Sequence, residues 1–279
     1  RDSSTSRGLG DVYKRQILYG FDDYKVHSKL TLITKKGPQG YSYITQIGTG
    51  NYNEKTSELY TDYSFITADL GIGEEASNVF QNLAVQKLTE TTEKMLVAPL
   101  RFKSVLLDEM DRVINAAKLG RPASMILKNN SINDPQIIDK ISEASCAGVR
   151  VDMIVRGICC LRPGVKGISD NIEVTSIVGR FLEHTRVYWF NANGEGRLYI
   201  GSADIMPRNL DRRIEVLVPI LDPGLRACLR NDILETHLRD NQQTWRLQED
   251  GTYCRIKPGK GEEPVNAQEI MMRRSRECV

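Results

Sequence analysis

The chain has 279 residues and a formal net charge of +2, with 40% hydrophobic and 27% charged residues. This composition is typical of a soluble, intracellular globular protein, and it excludes a disordered chain and a membrane-embedded one. The length is sufficient for two compact domains of about 100 to 150 residues each. The six cysteines show no CxxC spacing, so we expect reduced thiols and no zinc site.

The first sixteen residues differ from the rest of the chain. They are polar and aperiodic, and they contain no apolar stretch of the kind found in secretory signals. We interpret residues 1–16 as a non-native leader and exclude them from the fold prediction. On this interpretation the natural protein extends further upstream of Ile17.

Residues 17–96 are predicted to form the C-terminal part of a first, incomplete domain, and this part begins with strands. The segments VHSKLTLIT and YSYITQIG alternate and are rich in β-branched residues, and KKGPQG between them is typical of a turn. We therefore predict a β-hairpin. Helical spacing of apolar residues follows over residues 76–87.

Residues 97–279 are predicted to form a second domain that opens with a βαβ unit. A helix over residues 102–119 precedes strand ASMILK. Asp134 and Pro135 then begin a helix, Gly148 ends it, and strand VRVDMIVRG follows. Such a unit places two parallel strands beneath a helix.

The remaining elements complete an α/β prediction for both domains, with mixed sheets flanked by helices. Segments RVYWF, RLYIGS and RIEVLVPIL are strand-like, and Asp222 with Pro223 begins a last long helix that we extend to about Thr244. The tail after Trp245 is predicted to be a peripheral strand and an extension.

An internal repeat links the two predicted domains. Its first copy comprises His27, Lys29, IGTGN and Asp62, and its second copy comprises His184, Arg186, IGSAD and Glu215. In both copies the acid lies fourteen residues after the glycine of the turn, Gly48 or Gly201. The repeat predicts two α/β domains related by a pseudo-two-fold axis.

Each part of the repeat has a chemical use. An imidazole nitrogen can attack phosphorus, and the cation two residues later lies on the same face of the strand, where it can hold phosphoryl oxygens. A carboxylate on the other ring nitrogen fixes the tautomer. We predict that Asp62 orients His27 and that Glu215 orients His184. A single histidine on a strand is more often structural, but two in matching contexts favour catalysis. His237 lies in the predicted last helix, outside this pattern, and we expect it to be structural or exposed.

The paired pattern resembles the phospholipase D superfamily, in which two related halves place their histidines face to face. Thr34 stands where that family has an acid, which weakens a phospholipase or nuclease interpretation. The longer segments IGTGNYNEKTSELYTDYS, VRGICCLRPGVKGISDNI and SADIMPRNLDRRIEV resemble polyphosphate kinases of the histidine-phosphorylating type, whose C-terminal catalytic domains are phospholipase D-like.

This resemblance implies reversible transfer of the γ-phosphoryl group of ATP to polyphosphate through phosphorylated His27. It implies that Tyr60, Arg156 and His184 contact the nucleotide and its phosphates, with Lys29 and Arg186 as further phosphate ligands. It also implies Mg²⁺ as cofactor, with its ligands mainly upstream and none in this chain, and ATP, ADP and polyphosphate as partners.

The dispersed cysteines, read as reduced thiols, favour a cytoplasmic protein. The resemblance further implies a homo-oligomer, and we expect no nucleic-acid partner and at most a peripheral association with membranes. Two alternatives stay open: a phospholipase D-like phosphodiesterase, and an inactive fragment that only binds polyphosphate. Arg208, Arg212 and Arg213 either line a polyphosphate path or are ordinary surface cations.

Overall fold

The computed structural model describes residue 18 and residues 20–277. The proposed leader, residues 1–16, lies outside the described residues, so its origin stays a prediction. Within the described part of the chain, no helix is long and apolar enough to cross a membrane.

The first half contains an antiparallel sheet with one long helix packed on it. Its elements are β1 (Lys25–Val26), β2 (Leu30–Gly37), β3 (Gly40–Gly48), α1 (Glu54–Ser57), β4 (Tyr60–Thr61), β5 (Ser64–Thr67) and α2 (Leu70–Ala84). Strands β2, β3 and β5 form the sheet in that order, and β2 and β3 form the predicted hairpin. Helix α2 begins earlier than predicted because Asp69 caps it by accepting the backbone N–H of Ile72.

The second half forms a large mixed sheet. Its elements up to the last strand of the repeat are β6 (Leu96–Val97), α3 (Phe102–Lys118), β7 (Ala123–Asn129), α4 (Pro135–Cys146), β8 (Arg150–Val155), β9 (Ile172–Ile177), β10 (Leu182–Glu183), β11 (Arg186–Ala192), β12 (Glu195–Gly201), α5 (Pro207–Asp211), β13 (Arg213–Ile214) and β14 (Val216–Pro219). The predicted βαβ unit is β7–α4–β8, with β7 and β8 parallel.

The C-terminal elements extend this sheet. They are α6 (Pro223–Ala227), a π-helical stretch (Cys228–Leu234), α7 (Glu235–Leu238), β15 (Thr244–Leu247), β16 (Tyr253–Arg255) and α8 (Ala267–Glu277). The sheet has nine strands in the order β16-β15-β9-β8-β7-β11-β12-β14-β6. Because β7, β8 and β9 are parallel and the other pairs are antiparallel, the sheet is mixed, and the α/β prediction is confirmed.

The predicted extension of the last helix to Thr244 is wrong. The helix ends at Leu238, and Thr244 begins β15, which pairs with β9. Asp240 ends the helix because its carboxylate accepts the backbone N–H groups of Gln242 and Gln243, which turns the chain.

Two short pairs of parallel strands connect the halves. β1 pairs with β13, and β4 pairs with β10. A shared hydrophobic cluster supports them, because Ile47 and Ile72 of the first half pack with Val187 and Ile200 of the second. The predicted domain division between residues 96 and 97 falls within β6, which pairs with β14 of the large sheet; the division stays a prediction.

Candidate active site

The two strand pairs that connect the halves place each repeat histidine beside a carboxylate of the other half. In the β1–β13 pair, Val26 is opposite Ile214, so the next residues along the two strands are His27 and Glu215. In the β4–β10 pair, Thr61 is opposite Glu183, so the next residues are Asp62 and His184. Because the paired strands are parallel and in this register, the chain leaves each pair with a histidine beside a carboxylate.

The predicted partnership of histidines and carboxylates is therefore wrong, although the four residues are the ones predicted. His27 Nδ1 lies 2.9 Å from Glu215 Oε1, and His184 Nδ1 lies 2.7 Å from Asp62 Oδ1. The repeat pattern alone favours pairing of groups within one copy. The tertiary structure exchanges them because the strand before each acid pairs with the strand before the other histidine.

The turn hydroxyls of the repeat hold these carboxylates. Thr49 Oγ1 donates to Asp62 Oδ1 at 2.9 Å, and Ser202 Oγ donates to Glu215 Oε2 at 2.5 Å. Each hydroxyl also accepts a backbone N–H from the residue after its acid, Tyr63 or Val216. The Gly-Thr and Gly-Ser turns thus fix the acids of their own half.

Gly50 makes room for one of these acids. A Cβ at Gly50 would lie 1.8 Å from Asp62 Oδ2, a distance that no real contact shows. The second glycine of IGTGN is therefore required for the Asp62 carboxylate to reach His184, which is a reason that the sequence pattern did not reveal.

The two repeat cations differ in their environments. Arg186 Nε and Nη2 donate to both oxygens of Asp204, and Nη1 donates to the backbone carbonyls of Thr49 and His184. These protein acceptors occupy most of its N–H groups. The prediction that Arg186 holds phosphoryl oxygens is therefore corrected: Arg186 ties the His184 strand to the Thr49 turn.

Lys29 has no such counterion. Its Nζ donates to the carbonyl of His27, and no carboxylate of the described residues lies within ion-pair distance of it. Burial, opposed by Glu215 and reinforced by Arg186, lowers the pKa of Lys29 to about 8. Asp62 also acts on Lys29 through its charge, so this lysine lies within electrostatic range of both histidine–carboxylate pairs.

The residues expected to contact nucleotide lie together around His184. The Tyr60 ring stacks on the His184 ring with a centroid distance of 4.8 Å, and the Arg156 guanidinium lies 5.8 Å from the Tyr60 centroid. Arg156 Nε donates to Asn130, whose amide in turn donates to the carbonyl of His184. Burial lowers the pKa of His184; Asp62 opposes this shift, and Arg186 and Arg156 add to it.

The arginines near Glu215 do not form a single surface. Arg213 is half-buried, with Nη1 3.9 Å from Glu215 Oε1, whereas Arg208 and Arg212 are exposed. Asn209, which no sequence motif singles out, donates to Glu215 at 3.2 Å. His237 is buried and bonded to the carbonyl of Ile233, so the structural one of its two predicted alternatives holds.

The donor set does not suit a metal ion. Among the residues that the structure describes, no group of three or more His, Cys, Asp or Glu side chains is arranged to hold one. Asp62 and Glu215 already serve as acceptors for histidines and hydroxyls. The described residues therefore do not fit Mg²⁺.

Together, the fold and the site define an α/β protein with two related halves whose paired histidines are each bonded by a carboxylate from the other half. The family models for "Polyphosphate kinase C-terminal domain 1" and "Polyphosphate kinase C-terminal domain 2" match residues 12–89 and 95–268, respectively. The first match begins inside the segment proposed as a leader. The chain belongs to the polyphosphate kinase family.

Individual relatives agree with this assignment. The chain is 43% identical over 269 residues to polyphosphate kinase 1 of Chlorobaculum tepidum, covering 96% of this chain and 38% of the relative. It is 43% identical over 256 residues to polyphosphate kinase of Pseudomonas aeruginosa, covering 92% and 37%. The chain thus spans somewhat more than a third of the length of these two relatives.

Solved structures show the same fold. The crystal structure of polyphosphate kinase from Porphyromonas gingivalis superposes with a TM-score of 0.92 at 35% identity, covering 98% of this chain and 42% of that one. Phosphatidylserine synthase from Haemophilus influenzae superposes with a TM-score of 0.51 at 12% identity, covering 84% and 68%. The second likeness concerns the fold alone.

Proposed function

We propose that this chain carries the phosphoryl-transfer site of a polyphosphate kinase, in which His27 takes the γ-phosphoryl group of ATP and passes it to polyphosphate. The observation that supports this most is the His27–Glu215 pair beside Lys29, a cation without a carboxylate partner in the described residues. Family membership and the names of the relatives support the substrates.

The pairing of His27 suits a nucleophile. As a carboxylate, Glu215 can only accept, so Nδ1 of His27 carries the hydrogen and Nε2 presents its lone pair. Glu215 is fully buried and is held by Ser202 and Asn209, so the ring has a fixed acceptor behind it. The carboxylate also stabilises positive charge that develops on the ring during attack.

Access and charge favour His27 over His184 as the nucleophile. The His27 side chain is 22% exposed, whereas that of His184 is 10% exposed and is covered by Tyr60. Arg186 is neutralised by Asp204, but Lys29 is not neutralised in this way. The first copy of the repeat therefore combines a reachable imidazole with an available cation.

The reaction balances in two displacements. In the first, Nε2 of His27 attacks the γ-phosphorus, the N–P bond forms, and the bond to the β–γ bridging oxygen breaks as ADP leaves with its electron pair. In the second, a terminal oxygen of polyphosphate attacks the phosphohistidine, a P–O bond forms, and the N–P bond breaks. Lys29 offsets charge on the transferred group, and His184, Tyr60 and Arg156 contact the nucleotide phosphates.

Labelling with γ-³²P-ATP tests this proposal. With the protein at its full natural length, we expect label that is stable to alkali, labile to acid, and located on His27. His27→Gln, which keeps a hydrogen-bonding group near Glu215, should lose the label completely. His184→Gln should retain a reduced level, because it removes a phosphate contact and leaves the nucleophile.

The same experiment separates the alternatives. Cleavage of a phosphodiester by a wild-type protein that takes no label would indicate a phospholipase D-like enzyme. Binding of polyphosphate without label or cleavage would indicate a binding fragment. Either result would overturn the proposal, as would label that persists in His27→Gln.

A further inference from the structure

A buried ionic cluster lies directly behind His184. Lys128 Nζ is 2.8 Å from Glu183 Oε2, and these side chains are only 2% and 4% exposed, respectively. His237 Nε2 lies 3.4 Å from the same carboxylate, and Gln268 Nε2 donates to its other oxygen at 2.8 Å. We call Lys128, Glu183, His237 and Gln268 the rear cluster.

The rear cluster holds both chain neighbours of His184. Lys128 bonds Glu183 on one side of the histidine and donates to Thr185 Oγ1 at 2.5 Å on the other. Because side chains alternate along an extended segment, residues 183 and 185 point away from the face that carries His184. The ammonium group therefore fixes the backbone from which the imidazole projects.

The same cluster also fixes the partner strand. Thr61 Oγ1 donates to Glu183 Oε2 at 3.2 Å and accepts the backbone N–H of His184 at 3.3 Å. Thr61 immediately precedes Asp62, which bonds the His184 ring. Glu183, the residue before His184, thus contacts Thr61, the residue before Asp62.

Electrostatics indicate that Glu183 is held as an anion. Burial alone would raise the pKa of Glu183, but Lys128 and His237 outweigh burial and hold it far below its usual range. The C-terminal helix α8 adds a neutral clamp, because Gln268 also donates to the carbonyl of Phe181 and accepts its N–H. Four separate chain segments therefore converge on one carboxylate.

The described residues of the first half lack this arrangement. The residue before His27 is Val26, which is exposed, and the residue after it is Ser28, which is half-buried. No ion pair of the described residues lies behind His27 in the way that Lys128 and Glu183 lie behind His184. The two histidines therefore differ in how firmly the protein holds them.

We infer that Glu183 is a positioning residue, which with Lys128 and Thr61 sets the orientation of the His184–Asp62 pair for phosphoryl transfer. The kinetic part of this inference rests on the proposed function. The structural part concerns the His184–Asp62 hydrogen bond and holds independently of the reaction.

Substitutions must respect the charge balance of the cluster. Glu183→Gln alone leaves Lys128 buried without a counterion, which can prevent folding. The test variant is therefore Lys128→Met combined with Glu183→Gln, and Thr61→Val is a second, neutral variant. The control is Glu109→Gln, because Glu109 is also buried and bonded, to Arg197 and Tyr199, but has no contact with either repeat histidine.

Two measurements test whether Glu183 positions the His184–Asp62 pair. In this chain labelled with ¹⁵N-histidine, the double variant and Thr61→Val should shift the His184 ring signals and leave those of His27 unchanged. In the protein at its full natural length, turnover should fall about 100-fold in the double variant, with the KM for ATP changing less than about threefold, since a misplaced phosphate contact costs most in the transition state, where charge develops on the transferred group. Glu109→Gln should change neither readout.

The inference is overturned if the His184 signals and the turnover of the folded variants match wild type, or if Glu109→Gln lowers turnover equally. If wild type transfers no phosphoryl group, the proposed function fails, but the histidine signals still decide whether Glu183 positions His184. If the double variant does not fold, Thr61→Val decides by the same two measurements.

Discussion

His27 and His184 occupy equivalent places in the repeat but have different surroundings. Burial and the nearby arginines hold the pKa of His184 below its ordinary value, and Tyr60 covers its ring. His27 is more exposed and lies beside Lys29. Small differences in burial and counterions thus give two identical side chains different chemical properties.

The pairing of each histidine with the carboxylate of the other half can be tested directly with single substitutions. The sequence has three histidines, so ring ¹⁵N signals can be assigned from single variants. Glu215→Gln should shift the His27 signals alone, because it replaces the acceptor of Nδ1. Asp62→Asn should shift the His184 signals alone. The opposite result would support pairing within each repeat copy.

Lys29 predicts a dependence of stability on pH. Its folded-state pKa of about 8 lies below the ordinary 10.5, so the folded chain binds fewer protons than the unfolded chain between these values. Stability should therefore rise with pH in that window, by about 1.4 kcal/mol for each pH unit. Below about pH 8 the full penalty for burying the charge is present.

Denaturant unfolding at a series of pH values from 7 to 10.5 measures this effect. Lys29→Met cannot titrate, so the difference in unfolding free energy between wild type and Lys29→Met should change in favour of wild type as pH rises. A difference that stays constant across the window would show that Lys29 keeps an ordinary pKa.

At the scale of single elements, capping decides where the helices begin. Asp134 and Asp222 each precede a proline, and each accepts an N–H of its first turn. Asp134 is also buried and paired with Lys103 at 2.8 Å, whereas Asp222 is exposed. The Asp-Pro dipeptide therefore contributes differently to stability at the starts of α4 and α6.

We expect Asp134→Ala to destabilise the chain by about 2 to 4 kcal/mol, because it removes a cap and leaves Lys103 without its partner. Asp222→Ala, the matched control, should cost about 1 kcal/mol or less. Thermal or denaturant unfolding measures both. Equal losses would show that the ion pair with Lys103 contributes nothing.

The tight turn at Gly50 provides another prediction for an element. Gly50→Ala should displace the Asp62 carboxylate and shift the ring signals of His184, because the new Cβ would occupy its position. Gly120→Ala is a suitable control, since its Cβ would meet no atom within 4 Å, although its positive φ of 68° makes it strained. Unchanged His184 signals in Gly50→Ala would contradict the close approach.

At the scale of the whole molecule, the two halves share one core. Ile47 of the first half is 1% exposed and packs in a cluster with Val187 and Ile200 of the second. Both tryptophans, Trp189 and Trp245, belong to the second half. Their fluorescence therefore reports on a half that does not contain Ile47.

Ile47→Ala should lower the unfolding free energy seen by tryptophan fluorescence by about 2 to 4 kcal/mol. Ile33→Ala lies in the same hairpin but is 58% exposed, so its effect should stay within about 0.5 kcal/mol. A tryptophan transition that is insensitive to Ile47→Ala would mean that the halves unfold independently.

Much of the architecture could be predicted from the sequence because it depends on local patterns. Alternation gave the β2–β3 hairpin, apolar spacing gave α3, and the Asp-Pro caps gave the starts of α4 and α6. The repeat identified all four members of the histidine–carboxylate pairs. These patterns involve residues that are close in sequence, so each segment contains the pattern that predicts its own structure.

The sequence by itself determined the α/β class, the repeat and the residue types of the site. Only the tertiary structure decided that each carboxylate serves the histidine of the other half, that Arg186 is bound by Asp204, and that Glu183 lies against Lys128 and His237. The residues that make these contacts are far apart in the chain or belong to different repeat copies. Such contacts depend on strand register and packing between segments, which no local pattern encodes.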